Sequence, residues 1–397
     1  MAGRPSTRAA TGAHSQVFDA PAPRHSRGTG MTEFPLTVAI ITGEYPPNVG
    51  GVGDYTALLR GALATNGVHS LVVCFDNHGA DSPDVVRIKP QWPRSYRALR
   101  AALGHAVPDV IHIQFQTGAF QMRPSVQLLP LVLRQQLGRP VVTTFHDLRA
   151  PYLFPKAGRL RTESLKVMAR TSSAVIATNP ADARTLRRWG LTANTIPIGP
   201  NLPSPSDGIQ PIKGTLGFFG LPTRSKGILA LLNALATLDP AVRPTLRLIG
   251  ASGVPGAHND VLAPEVIDRI ARFHGVTITR TGFVSPERAS FELAACAAIA
   301  LPFTEGASLR SGSLLAALQS GRPVISTVPE HPEDLAEIAR LSQLLLVPRC
   351  DIRALSRAIR DALNMEVWEA NLPDRFQWPS IAQAHAALYA RLVGCTR

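Results

Sequence analysis

Residues 36–73 read LTVAIITGEYPPNVGGVGDYTALLRGALATNGVHSLVV, and this stretch decides the fold class. Residues 36–42 form a continuous apolar run, which is typical of a parallel strand that is buried on both faces. A glycine-rich loop follows, and then the pattern predicts a helix over residues 54–65 that ends before Asn66-Gly67. The next apolar run, at residues 70–75, predicts a second strand. A strand, helix and strand of these lengths indicate one β/α unit of a parallel sheet.

The same alternation continues along the chain in two series. The first series predicts strands at 85–88, 109–115, 140–145, 174–178 and 195–198, with helices at 95–103, 125–137 and 180–188. The second series predicts strands at 215–219, 245–249, 276–279, 298–302 and 323–326, with helices at 227–237, 263–273, 286–295 and 312–320. The proline-rich segment between them, residues 201–212, has the composition of a linker. We therefore expect an α/β protein with two doubly wound domains.

The chain is basic, with 41 Lys and Arg against 28 Asp and Glu among 397 residues and a formal net charge of +13. Residues 1–200 hold 22 of the basic residues but 11 of the acidic ones, so the excess lies in the first half. It is densest at residues 85–108 and 149–170. Such asymmetry favours an anionic partner, unless it reflects only an arginine-rich composition. No nucleic-acid-binding motif accompanies the charge, so we expect no nucleic acid partner.

Composition excludes several classes of protein. Four cysteines without a CxxC pair exclude a zinc ribbon and a disulfide scaffold. No apolar run reaches the 18 residues of a membrane span, and the start has no signal-peptide core, so we expect a cytoplasmic protein. Residues 1–30 lack hydrophobic periodicity and are expected to be disordered. Met31 is an alternative translation start to Met1.

The glycine-rich loop at residues 43–54 is the first candidate for binding chemistry, because ligands bind beyond the carboxyl ends of strands in open α/β sheets. Gly50 and Gly51 would let backbone N–H groups approach a phosphate at a helix N-terminus. The loop lacks both the GxGxxG pattern and the lysine of a P-loop, which disfavours a nicotinamide cofactor or a P-loop ATPase. The alternative is a glycine-rich turn with Asp54 as the helix N-cap.

A second candidate loop begins with His146 and Asp147, directly after a predicted strand. The imidazole can bind a hydroxyl or a developing charge, and the carboxylate can orient it or accept a substrate proton. The alternative is a structural polar pair at a strand end. His112 lies inside a predicted strand and is expected to be a buried, hydrogen-bonded histidine instead.

Two further candidate loops lie in the second series. Arg224 and Lys226 come just before a predicted helix, where two cations suit a diphosphate. The segment at residues 304–313 follows another strand; Glu305 could hold sugar hydroxyls, and the small residues up to Ser313 would leave amides free for phosphate. Surface charge and simple helix capping are the respective alternatives.

These four loops, in this order, resemble the GT-B glycosyltransferases of family 4, which are retaining, metal-independent enzymes that use nucleotide sugars. The resemblance covers roughly residues 36–392. Its motifs are EYPPNVGGVGDYTALLRGALATNGVHSLVV, FFG and SKG in one loop, RLIGASG, TGFVSPE and FTEGASLRSGSLLAALQSGRPVIST. The tail FQWPSIAQAHAALY resembles the closing helix of the family, which crosses back to the N-terminal domain.

The resemblance implies transfer of a hexose from a nucleotide diphosphate sugar to a glycan, lipid-linked or small-molecule hydroxyl, with retention and with no cofactor or metal ion. The implied domains are an extension at 1–30, an acceptor-side domain at 31–200, a linker at 201–212, a nucleotide-sugar domain at 213–375 and a crossing helix at 376–397. The implied catalytic residues are His146, Glu305 and Lys226. The implied donor site comprises Gly50, Gly51, Arg224, Lys226, Glu305, Ser308, Leu309, Arg310 and Ser313. Asp54, Tyr55 and Asp147 would contact or orient the acceptor.

Two positions depart from the family pattern. Ser313 stands where the second Glu of the Glu-x7-Glu motif usually holds the ribose, and Leu221 stands where an Arg is usual, with Arg224 as a nearby substitute. These departures indicate either a subgroup of the family or a catalytically silent scaffold that binds an anionic or membrane surface. A nucleotide-sugar epimerase is a further alternative of the same fold, although it would need more carboxylates in the cleft.

A segment of aromatic and basic residues in the first domain predicts contact with a membrane surface. Trp92 and Arg94 precede a predicted helix that carries Arg97 and Arg100. Aromatic rings and cations combined in this way can lie on anionic lipid. The expectation is therefore peripheral association with the inner face of the membrane and an anionic acceptor.

Overall fold

A computed structural model of the chain describes residues 36–48, 50–76, 79–91, 94–148, 158–250, 261–341, 343–365 and 372–394. The extension expected at residues 1–30 and the alternative start at Met31 lie outside these residues, as does Trp92.

The first domain is a seven-stranded parallel sheet with helices on both faces. Its strands are β1 (Leu36–Thr42), β2 (Val68–Cys74), β3 (Val85–Arg87), β4 (Val110–Phe115), β5 (Val141–Phe145), β6 (Ala174–Ala177) and β7 (Ala193–Thr195). Its helices are α1 (Gly51–Ala64), α2 (Arg94–Ala106), α3 (Leu129–Leu137), α4 (Gly158–Thr171) and α5 (Pro180–Arg188). The strand order β3-β2-β1-β4-β5-β6-β7 reverses direction between β1 and β4. The loops after these two strands therefore flank the crevice where open α/β sheets bind ligands.

The second domain repeats this plan with six parallel strands. They are β8 (Ile212–Phe219), β9 (Thr245–Ile249), β10 (Ile278–Arg280), β11 (Cys296–Leu301), β12 (Val324–Thr327) and β13 (Leu344–Val347). The helices are α6 (Ile228–Ala236), α7 (Pro264–His274), α8 (Pro286–Ala294), α9 (Gly312–Gln319) and α10 (Ile352–Leu363). The order β10-β9-β8-β11-β12-β13 reverses between β8 and β11. The loops after β8 and β11, which are the third and fourth candidate loops, therefore flank the second crevice.

A last helix, α11 (Trp378–Gly394), packs on the first domain although it follows the second in sequence. Ile381 and Leu388 join a buried cluster with Val38 and Ile40 of β1. Trp378 Nε1 donates to the carbonyl oxygen of Pro200 at 2.9 Å, so the two chain segments that connect the domains touch each other. The core of the first domain is thus completed by the end of the chain.

Several elements differ from the prediction. The single helix expected over residues 125–137 is a 3-10 helix over Pro124–Leu128 followed by α3, whose first turn contains Pro130. Proline is tolerated in the first turn of a helix but not in its interior, which accounts for the change of helix type at Pro130. Strand β8 begins at Ile212, inside the predicted linker. Helices α4 and α10 and strand β13 were not predicted. Among the described residues, no helix combines the length and apolarity that a membrane span needs.

The docking of α11 gives a first prediction. Leu388 is 4% exposed in the cluster shared with β1, so Leu388→Ala should lower the free energy of unfolding by about 2–5 kcal/mol. Gln383→Ala, on the exposed face of the same helix, should change it by less than about 0.5 kcal/mol. Urea denaturation followed by circular dichroism measures both values. Equal effects of the two substitutions would contradict the packing described for α11.

Candidate active site

The loop between β1 and α1 is closed by one of its own carboxylates. Glu44 Oε1 accepts hydrogen bonds from the backbone N–H groups of Val52 at 2.9 Å and Gly53 at 3.2 Å. A Cβ at Gly50 would collide with this carboxylate, whereas Gly51 faces open space. Two of the free amides at the N-terminus of α1 therefore already have an anionic partner. The N-cap is Gly50 and has no side-chain cap, so Asp54 is not the N-cap that the alternative interpretation required.

A buried ion pair holds the outer part of this loop. Arg87 Nη1 lies 2.6 Å from Asp76 Oδ1, and both side chains are at most 7% exposed. The second guanidinium nitrogen, Nη2, donates to the carbonyl of Pro46. Asn48 Nδ2 donates to the other oxygen of Asp76 at 2.9 Å. The loop is therefore fixed to strands β2 and β3 by charge-assisted hydrogen bonds, which are stronger than neutral ones.

Asp54 and Tyr55 lie in the first turn of α1, below this loop. Burial raises the pKa of Asp54 from 3.8 to about 6, and the nearby Glu44 carboxylate contributes to this rise. Tyr55 is 5% exposed and its hydroxyl has no hydrogen-bond partner within the described part of the chain. Its ring meets the ring of His146 edge-on, with centroids 4.8 Å apart. The structure thus brings Tyr55, which the sequence assigned to the acceptor side, against the predicted catalytic histidine.

His146 stands at the carboxyl end of β5 and is partly exposed. Its Nε2 lies 2.8 Å from Gln114 Oε1. Because an amide oxygen can only accept, Nε2 carries the proton and Nδ1 is the acceptor in the neutral ring. Burial, followed by the charge of His385, lowers the pKa of His146 from 6.5 to about 3. The imidazole is therefore neutral at physiological pH, which suits hydrogen bonding to a hydroxyl better than stabilisation of a negative charge.

The neighbours of His146 have separate partners. Asp147 Oδ2 accepts from Gln116 Nε2 at 3.3 Å, so its carboxylate is held by the segment after β4. His112 is fully buried and hydrogen-bonded through both ring nitrogens, to Tyr389 and Thr144, which agrees with the prediction of a buried, satisfied histidine. Gln114 and Tyr389 were not singled out from the sequence.

In the second domain, the loops after β8 and β11 meet at Lys226. Its Nζ donates to Ser313 Oγ at 2.9 Å, which joins the third and fourth candidate loops. Gly220 has a φ of +93°, and a Cβ there would collide with the lysine ammonium. Gly227 has a φ of +78°, and a Cβ there would collide with the carbonyl of Pro302. The left-handed conformation favours glycine at both positions, and at Gly227 the backbone carbonyl leaves no space for a side chain either.

The remaining donor candidates differ in their exposure. Arg224 and Glu305 are exposed, and Ser308 and Arg310 are partly exposed. Leu309 is 2% exposed and its side chain belongs to the core of the second domain, so only its backbone can meet a ligand. The helix α9 begins beyond them with Ser311 as its N-cap.

Ion pairs connect the two domains at the ends of their strands. Arg310, after β11, lies 3.8 Å from Asp182 at the start of α5. Arg184 of α5 forms a two-pronged pair with Asp334, which follows β12, and the Nη2–Oδ2 contact is 2.9 Å. Each pair joins a segment that follows a strand of one sheet to a segment that follows a strand of the other. The segments that follow β11 and β12 therefore lie against α5, which follows β6, so the two sheets approach each other at their carboxyl edges.

Two parallel α/β domains whose switch-point loops face each other define the GT-B class of glycosyltransferases. A sequence profile described as glycosyl transferase 4-like domain matches residues 50–201, and one described as glycosyl transferases group 1 matches residues 213–365. Between them they cover most of the chain, which belongs to the group 1 glycosyltransferases. The GT-B fold predicted from the sequence is confirmed.

Solved structures support the fold at low sequence identity. Sucrose-phosphate synthase from Thermosynechococcus elongatus is 22% identical, with a TM-score of 0.72 over 91% of this chain and 100% of that one. HepE from Anabaena, solved in complex with UDP, is 17% identical, with a TM-score of 0.62 over 91% and 97%. A trehalose-phosphate synthase from Burkholderia xenovorans, solved with glucose-6-phosphate, is 12% identical, with a TM-score of 0.61 over 90% and 99%. Comparison with curated protein sequences found no match.

The buried carboxyl of Asp54 gives a prediction about pH. Its pKa is higher in the folded protein than in the unfolded chain, so wild-type stability should fall as the pH rises through the window from about 4 to 6. Asp54→Asn should leave the free energy of unfolding unchanged below about pH 4 and raise it by about 1–3 kcal/mol above pH 6. Urea titrations between pH 3.5 and 7.5 measure this difference. Asp207→Asn, at an exposed linker position, is the control, and a pH-independent difference for Asp54→Asn would refute the assignment.

Proposed function

We propose that the protein transfers a hexose from a nucleotide diphosphate sugar to a hydroxyl acceptor, with retention of the anomeric configuration. The observation that carries the proposal is the Lys226–Ser313 contact, which places an ammonium group at the switch point of the second sheet. A cation at this position suits a diphosphate. The structure of HepE with UDP is that of a protein of this fold bound to a nucleoside diphosphate, which agrees with such a donor.

The proposed reaction needs no resident cofactor. The acceptor oxygen bonds to the anomeric carbon on the face from which the diphosphate departs, while the bond from that carbon to the diphosphate oxygen breaks. The hydroxyl proton passes to the leaving diphosphate. Lys226, with Arg224 near it, would neutralise the charge that develops there, and electrostatic stabilisation of this kind lowers the barrier of many enzymes more than any other effect. Glu305 would hold hydroxyls of the transferred sugar.

His146 would complete the sugar site from the first domain. Since its ring is neutral and its Nδ1 is the acceptor, it would take a hydrogen bond from a sugar hydroxyl. Asp54, Tyr55 and Asp147 would lie on the acceptor side of it. The described residues contain no group of three or more His, Cys, Asp or Glu placed to hold a metal ion. In this proposal, Lys226 and Arg224 neutralise the diphosphate without a metal ion.

A small apolar depression lies on the first domain. It lies beyond the ends of β2 and β4 and is lined by Phe75, Pro90, Phe120 and Leu129, with Arg123 beside them. The adjoining residues Gln121 and Met122 both have positive φ values, 53° and 62°, which non-glycine residues rarely adopt. Strained backbone of this kind concentrates at binding sites. A lipid-linked, anionic acceptor would match the basic charge of this domain.

Donor binding can be tested separately from transfer. Calorimetry should detect binding of UDP or GDP to the wild type, and Lys226→Ala should weaken it by at least about tenfold, since a charge-assisted contact contributes about 1.5–3 kcal/mol. Lys213→Ala removes the same charge at an exposed position of the second domain and should leave affinity unchanged. Glu305→Gln should lower the release of nucleoside diphosphate from a panel of nucleotide sugars.

The result also separates the two main alternatives. If neither nucleotide binds, a scaffold without catalytic activity is favoured, consistent with Ser313 and Leu221 at positions where the family has charged residues. If a nucleotide binds but wild type, Lys226→Ala and Glu305→Gln turn over equally, the site assignment is wrong. Conversion of one free nucleotide sugar into another without an acceptor would indicate an epimerase.

Peripheral membrane binding is a separate part of the proposal. Arg94, Arg97 and Arg100 are exposed on α2, while Leu99 of the same helix is buried, so the cations form one outer stripe. The protein should float with vesicles containing phosphatidylserine at low salt, and replacement of these three arginines by Gln should abolish this. A matched control replaces the exposed Arg353, Arg357 and Arg360 of α10 by Gln. Failure of the wild type to float, or equal loss in both triple variants, would exclude the proposed surface.

A further inference from the structure

A buried chain of polar side chains leads from His146 to the C-terminal helix. Gln114 Oε1 lies 2.8 Å from His146 Nε2, and Gln114 Nε2 lies 3.4 Å from each ring nitrogen of His112. His112 Nδ1 is 2.6 Å from the hydroxyl of Tyr389, and its Nε2 is 2.7 Å from Thr144 Oγ1. The four side chains behind His146 are all fully buried.

The chain fixes which way the Gln114 amide points. The amide nitrogen of Gln114 lies 3.4 Å from each ring nitrogen of His112, and the amide oxygen lies 2.8 Å from His146 Nε2. A neutral imidazole has one acceptor nitrogen, toward which the amide N–H can donate. With its NH2 group on His112, Gln114 can present only its oxygen to His146. That oxygen accepts, so His146 must donate from Nε2 and keeps Nδ1 as an acceptor. The tautomer of a histidine is set in this way by the partner of its other nitrogen.

The chain depends on a residue far away in sequence. Tyr389 comes from α11 and is 277 residues from His112, yet their contact, at 2.6 Å, is the shortest among these polar side chains. Its hydroxyl keeps its proton, because burial and the neighbouring Tyr55 raise the pKa of Tyr389 well above 10. Burying four polar side chains together costs free energy unless every member is satisfied. An apolar set of similar volume would fill the same space without this requirement, so a purely structural role does not explain the arrangement.

We propose that Gln114 is a positioning residue that holds His146 in the form with a free Nδ1 acceptor, and that His112 and Tyr389 hold Gln114 in turn. The C-terminal helix is thereby part of the site. The role of the chain in catalysis rests on the proposed function, but the tautomer of His146 does not.

Nuclear magnetic resonance of the full-length protein labelled with 15N-histidine tests the tautomer directly, with His146→Gln used to assign its signals. Wild-type His146 should show a protonated Nε2. Gln114→Met keeps the side-chain volume but removes the acceptor, so the Nδ1-protonated form should become populated. A protonated Nδ1 in the wild type, or an unchanged spectrum in Gln114→Met, would overturn the proposal.

Gln114→Glu should instead change the pKa of His146, which a merely structural role of Gln114 would not affect. A carboxylate beside Nε2 favours the imidazolium, so the pKa of His146 should rise by at least about one unit. The other titratable groups around His146 are Tyr55 on α1, His112 on β4, His385 and Tyr389 on α11, and Asp147 next in the chain. Gln136→Glu, at an exposed site of α3, is the charge-matched control and should leave the titration of His146 unchanged. No rise in Gln114→Glu would contradict the contact.

Kinetics then separates positioning from donor binding. Gln114→Met should lower kcat by about tenfold or more and Tyr389→Phe by a smaller factor, while the affinity for nucleoside diphosphate stays within about twofold, because the cations proposed to hold the diphosphate, Arg224 and Lys226, lie in the other domain. An equal loss of nucleotide affinity would indicate misfolding and overturn a positioning role. If the wild type binds no nucleotide at all, the proposed function fails, whereas the spectroscopic result still decides the tautomer.

Discussion

The packing of α11 on the first sheet is the interaction on which the rest of the structure depends. The chain builds one domain, crosses to build the second, and returns to bury Ile381 and Leu388 in a cluster with residues of α1, β1 and β4. The first domain therefore lacks part of its core until the last residues of the chain are in place. The stability of the first domain is thus linked to the last helix, because burial of apolar surface, at about 25 cal/mol per Å², is the dominant driving force of folding.

The sheets could be predicted from the sequence because their physical signal is local. Strands buried on both faces are continuous apolar runs, and β1 and β9 have the bounds that their runs predict. Helix α4 was missed because its basic residues hide the buried positions Leu165, Met168 and Ala169, although their spacing is helical. The strand order, and with it the switch points, depends on pairing between distant segments and has no local signal.

In the candidate site, too, residues with a local sequence signal could be predicted and residues that depend on distant contacts could not. The loops that carry His146 and Lys226 were found because each of them follows a predicted strand. Glu44 was missed because its role depends on how the loop folds back onto the amides of Val52 and Gly53. Gln114 could not be distinguished from an ordinary strand residue, since its significance comes from the pairing of β4 with β5 and from a helix at the other end of the chain.

Within the first domain, the positive charge lies away from the buried histidines. The domain is strongly basic, yet the imidazoles behind its switch point are neutral, because burial lowers the pKa of His112 and His146 and also lowers that of His385 to about 4. An imidazolium inside this cluster would lose its hydration without gaining a carboxylate partner. The cations of α2 lie on the outside instead. The positive charge of this domain therefore lies on its surface and not at the histidines behind β5.

The crossing between the domains lies beside His146. Trp378 begins α11, bonds to Pro200 next to the linker and contacts the ring of Tyr55, with ring centroids 5.4 Å apart, and Tyr55 in turn meets His146. The segment that returns the chain from the second domain is therefore packed, through Tyr55, against the histidine at the end of β5. Its docking supports both the core of the first domain and the surroundings of this histidine.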